Sequence, residues 1–209
     1  DLSVSHSKCH EAVTLIAIFR KPAEMKVTWR NDKPLPTGYG HVTFKPSPAP
    51  SLTIRIDSVI KVLFVCTGNI CRSPTADGVF RKMVREAGLD DHISVDSCGL
   101  SAYHVGELPD PRSREMAKSR GIDLSDIRSR KIRPTDYHEF DYVLAMDDGH
   151  LRDMRRQAPN THQHRIELFL DYHPSMAGQS VPDPYYGGAN GFVDVFDMIE
   201  EASSNLLSH

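Results

Sequence analysis

The stretch KVLFVCTGNICRSPTADGVF, residues 61–80, decides how this chain is read. Its first six residues, KVLFVC, are an apolar run of the right length for a buried strand. The residues that follow, Thr67 to Arg72, hold Gly68 and Asn69, which suit a sharp turn. The next segment, SPTADGVFRKMVREAG, reads as a helix. Ser73 is the expected N-cap, with Pro74 at the first helical position. Val79, Phe80, Met83, Val84 and Ala87 fall on one apolar stripe, and Gly88 is placed to stop the helix. Cys66 therefore closes a strand, and Arg72 stands six positions later beside a helix start.

Downstream, the same alternation repeats. ISVDS (93–97) reads as a second strand and DPRSREMAKSRG (110–121) as a helix capped by Asp110 and ended by Gly121. YVLAM (142–146) is a third strand, DDGHLRDMRRQA a helix, and RIELFL (165–170) a fourth strand. A last helix places Phe192, Val195, Phe196, Ile199 and Leu206 on one face. The order predicts an α/β fold, a doubly wound sheet of about four parallel strands with helices on both faces. In such sheets ligands bind where strands end and helices begin.

Composition agrees with a globular chain. Of 209 residues, 39% are hydrophobic and 25% charged, and the net charge is −3. That charge excludes a nucleic-acid-scale basic field. The longest apolar run, AVTLIAIF (12–19), is too short for a membrane span. Cys9, Cys66, Cys71 and Cys98 show no secreted-type framework, so a reducing, cytoplasmic setting is expected. The proline-rich KPSPAP (45–50) and the six of fourteen prolines before residue 61 place a domain boundary near residue 60. Two domains are expected: a partial β-rich or irregular extension over 1–60, and the strand–helix domain over 61–209.

The turn after Cys66 has a definite chemistry. Backbone N–H groups at a helix start lack internal partners and favour an anion, a tetrahedral dianion above all. Gly68 supplies unusual backbone angles, Asn69 tolerates a left-handed conformation or ties the loop by side-chain hydrogen bonds, and Arg72 can grip two phosphate oxygens. Cys66 at the floor of this cradle would be held as a thiolate, the nucleophilic form, with Ser73 donating to the sulfur. A lone C-x5-R is a weak signal, and an isolated cysteine at a strand end is more often a packing residue; the strand, the Gly/Asn turn and the Ser-Pro helix start reverse that weighting. A Walker loop is excluded by the missing G-x4-G-K-[ST] pattern. Zinc is disfavoured because no second ligand pair follows Cys66 and Cys71 at finger spacing, and the eleven histidines are scattered, His162 and His164 on an expected exposed loop.

Phosphate transfer to Cys66 needs a proton for the departing oxygen. VPDPYYGG (181–188) offers Asp183, bracketed by prolines and next to two tyrosines. Taken alone, an aspartate beside proline is ordinary turn chemistry.

Taken together, VLFVCTGNICRSPTADGVF and DPYYGG resemble the low-molecular-weight protein tyrosine phosphatases. FDYVLAMD and LRDM, and the spacing of the two motifs, resemble that family too, over about residues 61–209. The resemblance implies Cys66 as nucleophile of a phosphocysteine intermediate and Arg72 as phosphate and transition-state ligand. It implies Asp183 as general acid and then base. Thr67, Gly68, Asn69, Ile70, Cys71 and Ser73 would form and order the phosphate loop. Tyr103, in SAYHVGELPDP, would wall the phenyl ring, with Tyr185 and Tyr186 on the opposite rim, where the family can be phosphorylated; each tyrosine also admits plain packing. Cys71 matches a second cysteine that in part of the family forms a protective disulfide with the nucleophile; a buried thiol is the equal alternative. Cys98 is expected to be a packing residue. Ile70 favours an aromatic ligand, since members acting on phosphoarginine tend to carry Thr there. No metal or other cofactor is called for, because Arg72 and the amides supply the positive field.

The implied partner is a phosphotyrosine-containing protein, acted on by a monomer or weak dimer. Arsenate reductases share the cradle but need a further cysteine pair, and only Cys98 follows Cys71. A phosphate-binding module without catalysis is the remaining alternative. Residues 11–59 resemble part of an intermediate-set immunoglobulin domain, with Trp29 as core tryptophan and SLTIRI as a later strand. The final two strands and both core cysteines are absent. Three readings stand for this segment: a β appendage, a mobile arm, or an artificial join of two reading frames.

Overall fold

A computed structural model describes residues 59–186 and 190–209. Residues 1–58, and with them the expected N-terminal extension, the immunoglobulin-like reading and Trp29, lie outside the described residues. Four strands, β1 (Ile60–Cys66), β2 (Ile93–Gly99), β3 (Tyr142–Ala145) and β4 (Ile166–Leu168), form one sheet in the order β2-β1-β3-β4. All pairings are parallel. Helices α1 (Arg72–Glu86), α2 (Pro111–Ser119), α3 (Asp136–Glu139), α4 (Asp148–Gln157) and α5 (Gly191–Ser208) complete it.

The doubly wound arrangement follows from how β1 is built. Its last five residues, Leu63 to Cys66 and the preceding Val62, are all buried, which only a central strand covered on both faces permits. Val62, Phe64 and Cys66 face one apolar cluster with Val79 and Phe80 of α1 and Phe196 and Ile199 of α5. Leu63 and Val65 face another with Tyr137 of α3 and Met154 of α4. Phe64 is held edge-on by Phe80 and Phe169, with ring centroids 5.8 and 5.1 Å away.

Several local expectations need correction. Helix α1 starts at Arg72 with Cys71 as N-cap and no side-chain cap bond, so Ser73 is not the cap and Pro74 is the third helical residue. Ser73 is wanted elsewhere, as described below. Ala87 is exposed beyond the helix end, where Gly88 takes a φ of 69° and reverses the chain. The fourth strand is only three residues long, and Phe169–Tyr172 winds into a 3-10 turn. His162 and His164 lie in another 3-10 turn, with His162 half-buried against His138. The short α3 has no strong periodic signal and was not expected. Asp110 does cap α2, accepting from the Arg112 amide.

From β1 the chain moves outward to β2 and then crosses to β3 on the other side. The C-terminal end of β1 is therefore the topological switch point, where such sheets open a crevice. Cys66 is the last residue of that strand.

Candidate active site

The loop from Cys66 to Arg72 is shaped by what its carbonyls do. Leu100 N donates to the Cys66 carbonyl at 2.9 Å and Ser101 N to that of Thr67 at 2.8 Å. Ser129 Oγ donates to the Gly68 carbonyl at 2.8 Å, and Asp110 N to that of Ile70 at 2.8 Å. Thr75 Oγ1 takes the Cys71 carbonyl at 2.7 Å. The acceptors are thus tied to surrounding segments. Among the described residues, the amides of Gly68, Ile70 and Cys71 have no protein acceptor. A run of unused N–H groups at a helix start is an anion nest.

Asn69 makes this possible. It has a φ of 55°, and it is the one non-glycine residue with positive φ among the described residues. Its side chain stabilises the strained turn at both ends. Arg130 N donates to Asn69 Oδ1 at 3.0 Å, and Asn69 Nδ2 donates to Ser73 Oγ at 3.0 Å. Ser73 Oγ lies 3.0 Å from Cys66 Sγ and 3.3 Å from the Cys98 carbonyl. Asn69 N donates to the sulfur at 3.2 Å. The Asn69 amide thus donates to Cys66 Sγ and the Ser73 hydroxyl is within reach to do the same, an arrangement that stabilises negative charge there. Gly99, at the end of β2, backs the loop. A Cβ built on it would stand 2.7 Å from the Thr67 carbonyl oxygen and 3.0 Å from Asn69 N.

Arg130 is itself clamped. Its guanidinium bonds Asp96 at 2.8 Å and the fully buried Asp136 at 2.8 Å, and Asp136 also takes Arg133. Burial raises the Asp136 carboxyl's affinity for a proton, but the two arginines outweigh it and hold the group below the usual carboxylate range.

Arg72 is 4% exposed, and its planar head is anchored rather than loose. Nη1 donates to Asp147 Oδ2 at 2.9 Å and to the Val181 carbonyl at 3.1 Å, and Nη2 to Asp183 Oδ2 at 3.2 Å. Asp147 follows β3 and caps α4 by accepting from His150 N at 2.8 Å. His150 Nε2 lies 2.8 Å from Thr67 Oγ1, on the residue next to the cysteine.

Cys66, Thr67, Gly68, Ile70, Cys71, Arg72, Asp183, Tyr103 and Tyr185 line one cavity of about 250 Å³, together with Ser101 and His104. Tyr103 is 91% exposed and stands at its mouth. Tyr185 shares a 3-10 turn with Tyr186, whose side chain is outside the described set. Ser73 and Asn69 lie beneath the cavity, fully buried. Cys66, Cys71 and Cys98 are free thiols. Burial, then the nearby Asp110, pushes the Cys71 thiol up to about 12, so it stays protonated. Cys98 is buried in the core, where burial raises its pKa well above the ordinary value.

Asp147, His150, Ser129 and Arg130 are the parts that sequence reasoning missed. Asp147 carried one usable signal, an N-cap aspartate immediately after a buried strand, on the rim where ligands bind. The other three reach the loop by contacts between segments far apart in sequence and leave no local pattern.

A family model for the low molecular weight phosphotyrosine protein phosphatases matches residues 61–209. The chain belongs to that family. Low molecular weight phosphotyrosine phosphatases from Schizosaccharomyces pombe and Homo sapiens are similar to it. The first is 44% identical over 149 residues, 71% of this chain and 95% of that protein. The second is 42% identical over 139 residues, 66% of this chain and 87% of that protein. Among solved structures, the Entamoeba histolytica protein tyrosine phosphatase with Hepes in its active site superposes with a TM-score of 0.68 at 39% identity. That match covers 71% of this chain and 95% of the phosphatase.

Proposed function

We propose that residues 61–209 form a phosphatase domain that hydrolyses phosphotyrosine in protein substrates, and small aryl phosphates, through a phosphocysteine at Cys66. The observation that carries this reading is the meeting of Cys66, Arg72 and Asp183 on one cavity whose mouth is edged by Tyr103 and Tyr185. The phosphate dianion accepts from the Gly68, Ile70 and Cys71 amides and from Arg72. Cys66 Sγ attacks phosphorus, and the P–O bond to the tyrosine phenolate breaks on the opposite side. Asp183 gives its proton to the departing oxygen, worth typically ~10²–10⁴ in rate. The resulting carboxylate then takes a proton from water as that water attacks the phosphocysteine, releasing inorganic phosphate and the thiolate. Ser73 Oγ and Asn69 N, at 3.0 and 3.2 Å, stabilise the departing sulfur. Ile70 and Tyr103, on the cavity wall, favour an aryl group over an alkyl or guanidino one.

In the free site, Arg72 Nη2 bonds Asp183. An oxyanion that takes this donor releases Asp183 to face the leaving oxygen, so binding substrate also arms the acid. A thiol relay of the arsenate reductase kind is disfavoured because Cys98, the remaining downstream cysteine, is fully buried. No helix among the described residues is long and apolar enough to cross a membrane.

The test is hydrolysis of p-nitrophenyl phosphate and phosphotyrosine peptides by the wild type, Cys66→Ser and Asp183→Asn, with the 209-residue chain and residues 61–209 side by side. Activity in Cys66→Ser would end the phosphocysteine reading. Unequal kinetics of the two chain lengths would assign residues 1–60 a role in catalysis.

A further inference from the structure

The phosphate loop has one polar contact that the reaction above does not use. His150, buried at 6% exposure on α4, places Nε2 2.8 Å from the Thr67 hydroxyl. Its other nitrogen, Nδ1, stands 3.1 Å from Asp147 Oδ2, the same oxygen that takes Arg72 Nη1. The imidazole therefore bridges the residue beside the nucleophile and the carboxylate that anchors the phosphate-binding arginine.

Proton positions follow from the partners. A carboxylate oxygen only accepts, so a bare Nδ1 lone pair facing it at 3.1 Å would be repulsive. The contact is poorly aligned for a hydrogen bond, yet its electrostatics still favour hydrogen on Nδ1. In the neutral ring Nε2 is then an acceptor, and the Thr67 hydroxyl must donate to it. Thr67 lines the cavity, so its hydroxyl is turned away from a bound oxyanion in this arrangement. When the ring takes a second proton, Nε2 becomes a donor to Thr67 Oγ1. The hydroxyl hydrogen is then released and can donate to the oxyanion.

We propose, building on the phosphatase reading, that His150 is a positioning residue that sets the direction of the Thr67 hydroxyl, and that its protonation adds one donor to the phosphate site. Burial holds the imidazole below its ordinary value, with Arg72 acting the same way, while Asp147, Asp153 and Asp183 oppose them. The ring is therefore neutral at neutral pH, and the extra donor is recruited in acid. The sign is definite: the Thr67 contribution to anion binding grows as pH falls.

The experiment measures inhibition by inorganic phosphate for the full chain at about pH 5 and about pH 7.5. It uses the wild type, Thr67→Val, His150→Gln and the double variant. A hydrogen bond to a charged ligand is worth about tenfold in binding. Thr67→Val should weaken phosphate binding about tenfold at the lower pH and no more than about threefold at the higher. His150→Gln keeps an amide oxygen that accepts from Thr67 and cannot titrate, so it should reproduce the loss in acid. The double variant should be no worse than either single one. Equal effects of Thr67→Val at both pH values, or losses that multiply in the double variant, would overturn the proposal. Nitrogen-15 NMR of the wild-type imidazole adds a readout independent of the variants. Hydrogen on Nδ1 at neutral pH is expected, and hydrogen on Nε2 would refute it. Should the wild type hydrolyse no aryl phosphate, the phosphatase reading itself fails, whereas ordinary hydrolysis with pH-independent Thr67 effects fails this inference alone.

Discussion

Across one cavity, the cysteine loop and the aspartate segment are built to opposite standards. Cys66, Asn69, Arg72 and Ser73 are buried, and the loop's carbonyls are held by Leu100, Ser101, Asp110 and Ser129 from three other parts of the chain. Asp183 is 39% exposed on its side chain and is held by Arg72 and by the Tyr185 amide, 3.0 Å away. The contrast matches the two tasks proposed for them. Stabilising a thiolate and a doubly charged ligand requires dipoles fixed in advance, because reorganising them would cost free energy during the reaction. Moving a proton requires a group that water can reach and that can shift between two partners.

Breaking the nucleophile side should produce the largest effect. Cys66→Ser should lower kcat for p-nitrophenyl phosphate by more than about 10⁴-fold, with the fold retained by circular dichroism. Asp183→Asn should come next, at ~10²–10⁴ for phosphotyrosine, whose leaving group needs a proton. On p-nitrophenyl phosphate the loss should be clearly smaller. Equal losses on both substrates would remove Asp183 from the acid's place and erase the contrast between the two sides.

Asn69→Ala tests whether the bracing matters. It leaves a non-glycine residue at φ 55° without its side-chain bonds. A stability loss of roughly 2–4 kcal/mol is expected in urea titration, together with a fall in kcat/KM. Asp136→Ala acts one step further out, through Arg130. Removing one partner of a buried ion pair costs about 3–5 kcal/mol near neutral pH. Because the Asp136 carboxyl lies below its ordinary value in the folded chain, that stabilisation is present above about pH 4 and lost as pH falls through the folded value. Wild type and variant should therefore converge in acid. The smallest effect is expected on the exposed side. Arg112 lies over the Tyr185 ring at 5.2 Å and over Phe192 at 4.6 Å. Tyr185→Ala should change kcat/KM for small aryl phosphates by only about twofold to fivefold, as a single cation–π contact is worth ~0.5–1 kcal/mol at an exposed site.

Local chemistry explains which parts were legible beforehand. The strand ending at Cys66 was readable because a central strand is apolar on both faces. Asn69 was readable because few residues tolerate its backbone angles, and the structure uses both its conformation and its side chain. Ser73 divides in two: its contact with the sulfur is as expected, whereas its expected place as N-cap is taken by Cys71. Its hydroxyl cannot both cap a helix and sit 3.0 Å from Cys66 Sγ, and the helix accordingly starts at Arg72. His150 and Arg130 were not readable, because their partners lie 83 and 61 residues away and no periodicity records such a meeting. The shape of the bowl is written locally, whereas its supports are written in the topology.

The bare position at the end of β2 carries a consequence for assembly. Gly99 pairs with Cys66, and its neighbours in sequence are Cys98 and Leu100. A slip of β2 by one residue would swing a side chain into the backbone of the phosphate loop, a collision that atoms of the main chain cannot yield to cheaply. A molecule whose strands zip up out of step is thereby silenced. Catalytic competence in this protein doubles as proofreading of its own sheet.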